Sequence, residues 1–127
     1  MITVLVTGGR HYNDWGHVST TLDVILSRTG RVHVVQGGAA GADALAKRWA
    51  WRHRMPSTTY VARWDRHGLA AGGIRNQQML DQEWPRFVLA FPGGSGTKDM
   101  KERAQRAEVP VIDAMGDLHA QLKEIGL

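Results

Sequence analysis

Cysteine is missing from all 127 residues, which excludes disulfides and thiolate metal ligands. The six histidines show no paired spacing along a helix that would suit an ion, so no metal site is expected. No apolar run approaches the ~20 residues that a membrane-spanning helix requires. The first residues, Met1-Ile2-Thr3-Val4-Leu5-Val6, also lack a basic leader segment. The chain therefore reads as cytoplasmic, with no membrane partner. Proline is scarce, four in all, and it gathers with glycine in turns rather than in a linker. Repeats and low-complexity tracts are absent too, so residues 1–127 are expected to fold as one domain.

What is present is ordinary for a globular protein: 43% hydrophobic and 22% charged residues. The net charge of +4 suits an anionic partner. Nucleic acid is the weaker candidate, because the basic residues are spread from Arg10 to Arg106 among acids and cluster only at Arg48, Arg52, His53 and Arg54. That cluster closes a helix, where cations complement the dipole. A small anionic ligand fits the same sign of charge.

Apolar, β-branched runs at Ile2 to Val6, Val32 to Gln36, Thr58 to Ala62, Phe87 to Phe91 and Val109 to Asp113 read as buried strands. Helical spacing joins Val18, Leu22, Ile25 and Leu26, opened by Asn13-Asp14 and stopped by Gly30. It also joins Ala42, Leu45, Ala46, Trp49 and Ala50, and marks helices around Ile74 to Gln82, from Thr97 to about Ala107, and through Leu118, Leu122 and Ile125. Arg63 to Gly68 reads as a loop. Strict alternation predicts an α/β, Rossmann-like, doubly wound domain: a five-stranded parallel sheet of order 3-2-1-4-5 with helices on both faces.

In that order the sequence reverses between strands one and four, where ligands bind beyond the carboxyl ends. The loops converging there are Thr7-Gly8-Gly9-Arg10, Gly37-Gly38-Ala39-Ala40-Gly41 and Pro92-Gly93-Gly94-Ser95-Gly96-Thr97. Glycine lets backbone amides approach a ligand, and a loop opening into a helix adds free N–H groups at the positive end of its dipole. Phosphate is the expected guest, with Ser95 and Thr97 adding hydroxyls and Arg10 or Arg75 a guanidinium. Turn geometry alone is the competing explanation for these glycines. Asp43 reads as a capping or dipole-favoured acid, with a ribose contact as the sharper alternative. Trp64, just past strand three, is either packed on the domain or free to stack on a base.

The loops match neither a P-loop, since Gly93 to Lys98 lacks the Gly-Lys-Ser/Thr ending, nor a dinucleotide fingerprint. Ser95 misses the nucleophile-elbow pattern. The quoted loops, together with Gly73-Ile74-Arg75-Asn76-Gln77-Gln78-Met79-Leu80, resemble the YspA and YpsA-related branch of the SLOG superfamily across nearly the whole chain. That superfamily has a Rossmann-like fold and includes nucleotide-sugar-type sensors and LOG phosphoribohydrolases. The resemblance implies that Gly37, Gly38, Gly93, Gly94, Gly96 and Thr97 line a ligand pocket, with Arg75 and Asn76 entering from the third helix. It also implies a homo-oligomer.

LOG enzymes resemble a Pro-Gly-Gly-x-Gly-Thr-x-x-Glu pattern whose glutamate takes part in N-glycosidic cleavage, and Met100 stands in that place here. Ala40 stands where relatives often carry arginine. The expected function is binding of a nucleotide-derived ligand, of the ADP-ribose type or a cyclic nucleotide, by a sensor or sequestering protein that needs no cofactor. The alternatives are a hydrolase of nucleoside-phosphate N-glycosidic bonds, with Arg75, Asp99 and Glu102 as candidate catalytic residues, and nucleic-acid binding through basic faces.

Overall fold

A computed structural model describes residues 1–127. Five parallel strands, β1 (Ile2–Thr7), β2 (Val32–Gln36), β3 (Ser57–Thr59), β4 (Phe87–Ala90) and β5 (Val111–Asp113), lie in the order β3-β2-β1-β4-β5. The helices are α1 (Trp15–Thr29), α2 (Ala42–Arg52), the short α3 (Trp64–His67), α4 (Ala71–Glu83), α5 (Ser95–Arg106) and α6 (Leu118–Glu124).

Side chains alternate across a strand, so each central strand feeds two cores. Val4, Val6, Val34, Phe87 and Leu89 point to the face covered by α1, α2 and α6, where Leu22, Ile25, Trp49 and Leu122 are fully buried. Leu5, Val35 and Val88 point to the other face, under Met79 and Leu80 of α4 and Met100 and Ala104 of α5. The near-continuous apolar runs follow from this coverage, since strands buried on both faces have no solvent side to make polar.

Local chemistry sets the ends of the elements. Asp14 caps α1 by accepting from the His17 amide at 2.9 Å, and Gly30 closes the helix in the left-handed region at φ 80. Several expected boundaries are corrected. β3 stops at Thr59 instead of Ala62 because its partner β2 turns away at Gly37, leaving Val61 exposed with no ladder to join. β5 begins at Val111, not Val109: Pro110 has no N–H, and the Val109 amide is spent on the Ala104 carbonyl at the end of α5. The expected loop at Arg63 to Gly68 holds α3, followed by a 3-10 turn at Gly68–Ala70 that runs into α4. The early start of α4 was hidden by Gly72-Gly73, poor helix formers that tertiary packing overrides.

Three of the four residues of the basic cluster pack or pair with neighbours, while Arg54 is exposed. Arg48 and Arg52 lie over the Trp15 ring, 4.5 and 5.7 Å from its centroid. His53 stacks on Trp49 and reaches Asp23 at 3.1 Å.

Gly41, the N-cap of α2, combines φ 77 with ψ −130, a region essentially closed to other residues. A Cβ there would also overlap the backbone of Gly9 and Arg10, whereas one at Gly30 meets nothing within 4 Å. Gly41→Ala is expected to cost about 2–4 kcal/mol and Gly30→Ala about 1 kcal/mol, read from urea denaturation midpoints at constant m-value. Equal losses would contradict this account of the turn.

Candidate functional site

The reversal between β1 and β4 opens a cleft of about 1760 Å³ at the carboxyl edge of the sheet. Its floor is the turn after β1, with Thr7, Gly8, Gly9 and Arg10. One wall is the β2–α2 turn, with Gly37, Gly38, Ala39 and Asp43. The opposite wall is the β4–α5 turn, Pro92, Gly93 and Gly94 leading into Ser95, Gly96 and Thr97. α4 contributes Arg75 and Asn76, and Trp64 and Leu69 stand on the rim.

Sequence reasoning gave the glycines one task, and the structure divides it. Gly8, Gly9, Gly41 and Gly93 are needed where loops pack on one another: added Cβ atoms would press on Ala42 and Phe91, on Pro92, on Gly9, and on Thr97. Gly41 does not line the cleft at all; it lies beneath the floor. At Gly94 and Gly96 an added Cβ meets nothing within 4 Å, so these two face open space.

The two glycine-rich walls are opposite in character. In the β2–α2 turn the first three amides are already taken: Asp43 Oδ2 accepts from Gly37 and Ala39 at 3.2 and 3.3 Å, and Gln36 Oε1 accepts from Gly38 at 2.6 Å. Asp43 therefore braces the turn ahead of its helix, and the amides of α2 have no side-chain cap. In the β4–α5 turn the reverse holds. No side chain caps α5, its first main-chain bond comes from Lys98, and the amides of Ser95, Gly96 and Thr97 donate to no protein group. Arg10, exposed on the floor, takes part in no ion pair. The β4–α5 turn thus brings three successive free amides, all of cleft-lining residues, to the start of its helix.

A chain of hydrogen bonds holds α4 to both walls. Arg75 donates through Nη1 to the Gly37 carbonyl at 2.8 Å and through Nε to Asn76 Oδ1 at 3.0 Å. Asn76 Nδ2 donates to Asp99 Oδ2 at 3.0 Å and to the Gly96 carbonyl at 3.3 Å. Arg103 completes the line by donating to Asp99 Oδ2 at 2.8 Å and to Gln77 Oε1 at 3.2 Å. Burial lowers the Arg75 guanidinium from its ordinary value, against the pull of Asp43 and Asp99. Burial also raises Asp99, but hydrogen bonds from Arg103 and Asn76 and the charges of Arg103 and Arg106 outweigh it and hold the carboxyl below its usual range.

The candidate catalytic residues separate accordingly. Asp99 is an ionised anchor, Glu102 is exposed on α5 away from the cleft, and Met100 is fully buried among core side chains. Gln36 and Arg103 were not anticipated. A glutamine ending an apolar strand and the Asp99–Arg103 spacing of four were the available signals.

Residues 2–67 match the model of a family described as YAcAr: YspA, cpYpsA-related SLOG family. The Gene 61 protein of Mycobacterium phage D29 is 40% identical over 122 residues, covering 89% of this chain and 96% of that protein. Among solved structures, DNA processing protein A of Streptococcus pneumoniae aligns with a TM-score of 0.69 at 17% identity, over 99% of this chain and 57% of that one. DNA processing protein A of Helicobacter pylori, described for its single-stranded DNA binding mode, aligns with a TM-score of 0.67 at 18% identity, over 98% and 73%. At such identities the two structures share a fold with this chain.

Burial pushes the Asp43 carboxyl up to about 6, opposed by the Ala39 amide, the Arg75 charge and the Gly37 amide. Because this folded value lies above the ordinary carboxyl value of 3.8, the folded chain holds the extra proton between the two. The associated stability is fully present below the unfolded value and lost as pH rises through about 6. Between pH 5 and 7.5 the wild type should lose on the order of 1 kcal/mol more than Asp43→Asn, a few degrees in Tm. Parallel Tm profiles for the two proteins would refute it.

Proposed function

We propose, from the premise that this chain belongs to the YspA, cpYpsA-related SLOG family, that it binds a small nucleotide-derived ligand, of the ADP-ribose type or a cyclic nucleotide, as a sensor or sequestering protein. The observation that carries the reading is the set of unclaimed amides at Ser95, Gly96 and Thr97, at the positive end of α5. They share the cleft with the free Arg10 guanidinium. A phosphate there gains backbone donors, a helix dipole and a mobile cation without displacing any protein contact.

Binding is favoured over turnover by the carboxylates. Glycosidic cleavage needs a group that can give or take a proton beside the scissile bond. Asp99 is held ionised by Asn76 and Arg103, Glu102 lies outside the cleft, and Asp43, the cleft carboxyl raised to about 6, has one oxygen tied to the Gly37 and Ala39 amides.

A second reading, single-stranded nucleic acid, is favoured by the breadth of the cleft and by Trp64, 55% exposed on its rim beside the fully exposed Leu69. The fold shared with a protein described for its single-stranded DNA binding mode adds to it. An exposed indole at the edge of an open cleft suits a stacked base.

Thermal shift with ADP-ribose, AMP, cyclic AMP and an oligothymidine separates these readings. A saturating nucleotide at a hundredfold its Kd should stabilise the protein by about 2.7 kcal/mol, several degrees in Tm. Arg10→Ala should weaken that nucleotide about tenfold while leaving the ligand-free Tm unchanged, because its side chain supports no other group. Unchanged ligand recovered after release supports binding, and free base in the supernatant supports cleavage. Affinity for the oligothymidine alone, collapsing between low and physiological salt, selects the second reading.

A further inference from the structure

Asp43 and Thr97 are each 6% exposed, and each keeps an oxygen without a hydrogen-bond partner in the protein. Asp43 spends Oδ2 on the Gly37 and Ala39 amides, leaving Oδ1 unpaired. Thr97 rests its Oγ1 against Gly93 without a hydrogen-bond partner. No buried side-chain oxygen or nitrogen is sealed away without a partner, so both atoms touch solvent, and both residues line the cleft.

The two residues flank the backbone of Gly9. The Ala42 amide, next to Asp43, donates to the Gly9 carbonyl at 3.2 Å, and the Gly9 amide donates to the Pro92 carbonyl at 2.8 Å beside Gly93. A hydroxyl and free amides thus stand on one side of Gly9, and a carboxylate oxygen that can only accept stands on the other. A ligand filling both sides carries its anion toward α5 and a hydrogen-bond donor toward Asp43. A second anion at the Asp43 side would meet like charge.

Resting on the nucleotide-binding reading and narrowing it, we propose that Asp43 is a specificity-determining residue whose Oδ1 accepts a hydrogen bond from a ribose 2′- or 3′-hydroxyl. The 5′-phosphate of the same ribose occupies Thr97 Oγ1 and the amides of α5. The site therefore selects 5′-phosphorylated riboses with a free diol, as in ADP-ribose, over nucleotides whose hydroxyls are absent or esterified. The carboxylate is already held in place by two loop amides, so it meets the hydroxyl without reorganising.

Isothermal titration of the full chain with AMP, 2′,3′-dideoxy-AMP and inorganic phosphate tests the assignment on wild type, Asp43→Asn and Thr97→Val. A hydrogen bond to a buried charge sets the scale, so wild type should prefer AMP to its dideoxy analogue by ten- to a hundredfold. Asp43→Asn should lose most of that preference and keep its phosphate affinity, and Thr97→Val should weaken all three probes in parallel. Equal wild-type affinity for AMP and the dideoxy compound overturns the assignment, as would an Asp43→Asn variant that weakens phosphate as much as AMP. The wild-type comparison alone decides the matter if a variant does not fold. Binding without discrimination overturns this inference and leaves the nucleotide reading standing; no binding of AMP, ADP-ribose or phosphate overturns both.

Discussion

The backbone of Gly9 is gripped from two sides, by the Pro92 carbonyl at 2.8 Å and by the Ala42 amide at 3.2 Å. These bonds draw the turns after β1, β2 and β4 into direct main-chain contact, closer than any Cβ at Gly8, Gly41 or Gly93 would permit without displacement. The strand order brings the turns to one edge of the sheet, and this contact makes them one surface. Backbone packed this closely leaves few side chains inside the site, so recognition falls to amides, carbonyls and the few polar groups threaded between them.

Asp43 and Gln36 then differentiate the walls. By consuming the Gly37, Gly38 and Ala39 amides they make that part of the β2–α2 turn a wall that presents an acceptor. The β4–α5 turn has no such internal partner and keeps its donors. The polarity of the cleft thus comes from which loop satisfies itself, since an amide bonded within the protein has little left to offer a ligand.

The line from Gly37 through Arg75, Asn76 and Asp99 to Arg103 sets the separation of the walls by tying α4 and α5 to the β2–α2 turn. Its members are polar residues at a helix–helix seam, and every buried side-chain nitrogen and oxygen there has a partner or reaches the cleft. Asp99 is therefore better understood as a brace than as a reacting group. The exposed apolar rim at Val61, Trp64 and Leu69 lies where the chain leaves the sheet edge, outside this braced region.

The sequence by itself determined the alternation of strands and helices, the division of apolar residues between two sheet faces and the meeting of the glycine-rich turns at one edge. Those features rest on local periodicity and on connection rules that hold for any chain of this pattern. Boundaries at Thr59, Val111 and Ala71 escaped it because the partner strand, a proline without an amide and packing against the sheet outweighed propensity. Tertiary structure alone decided which amides are free, that Arg75 bends to the Gly37 carbonyl, that Glu102 faces away and that Gly41 supports the floor from below. Each depends on a partner tens of residues away or on a helix's rotation about its axis, and a hydrogen bond is settled only when both of its ends have been placed.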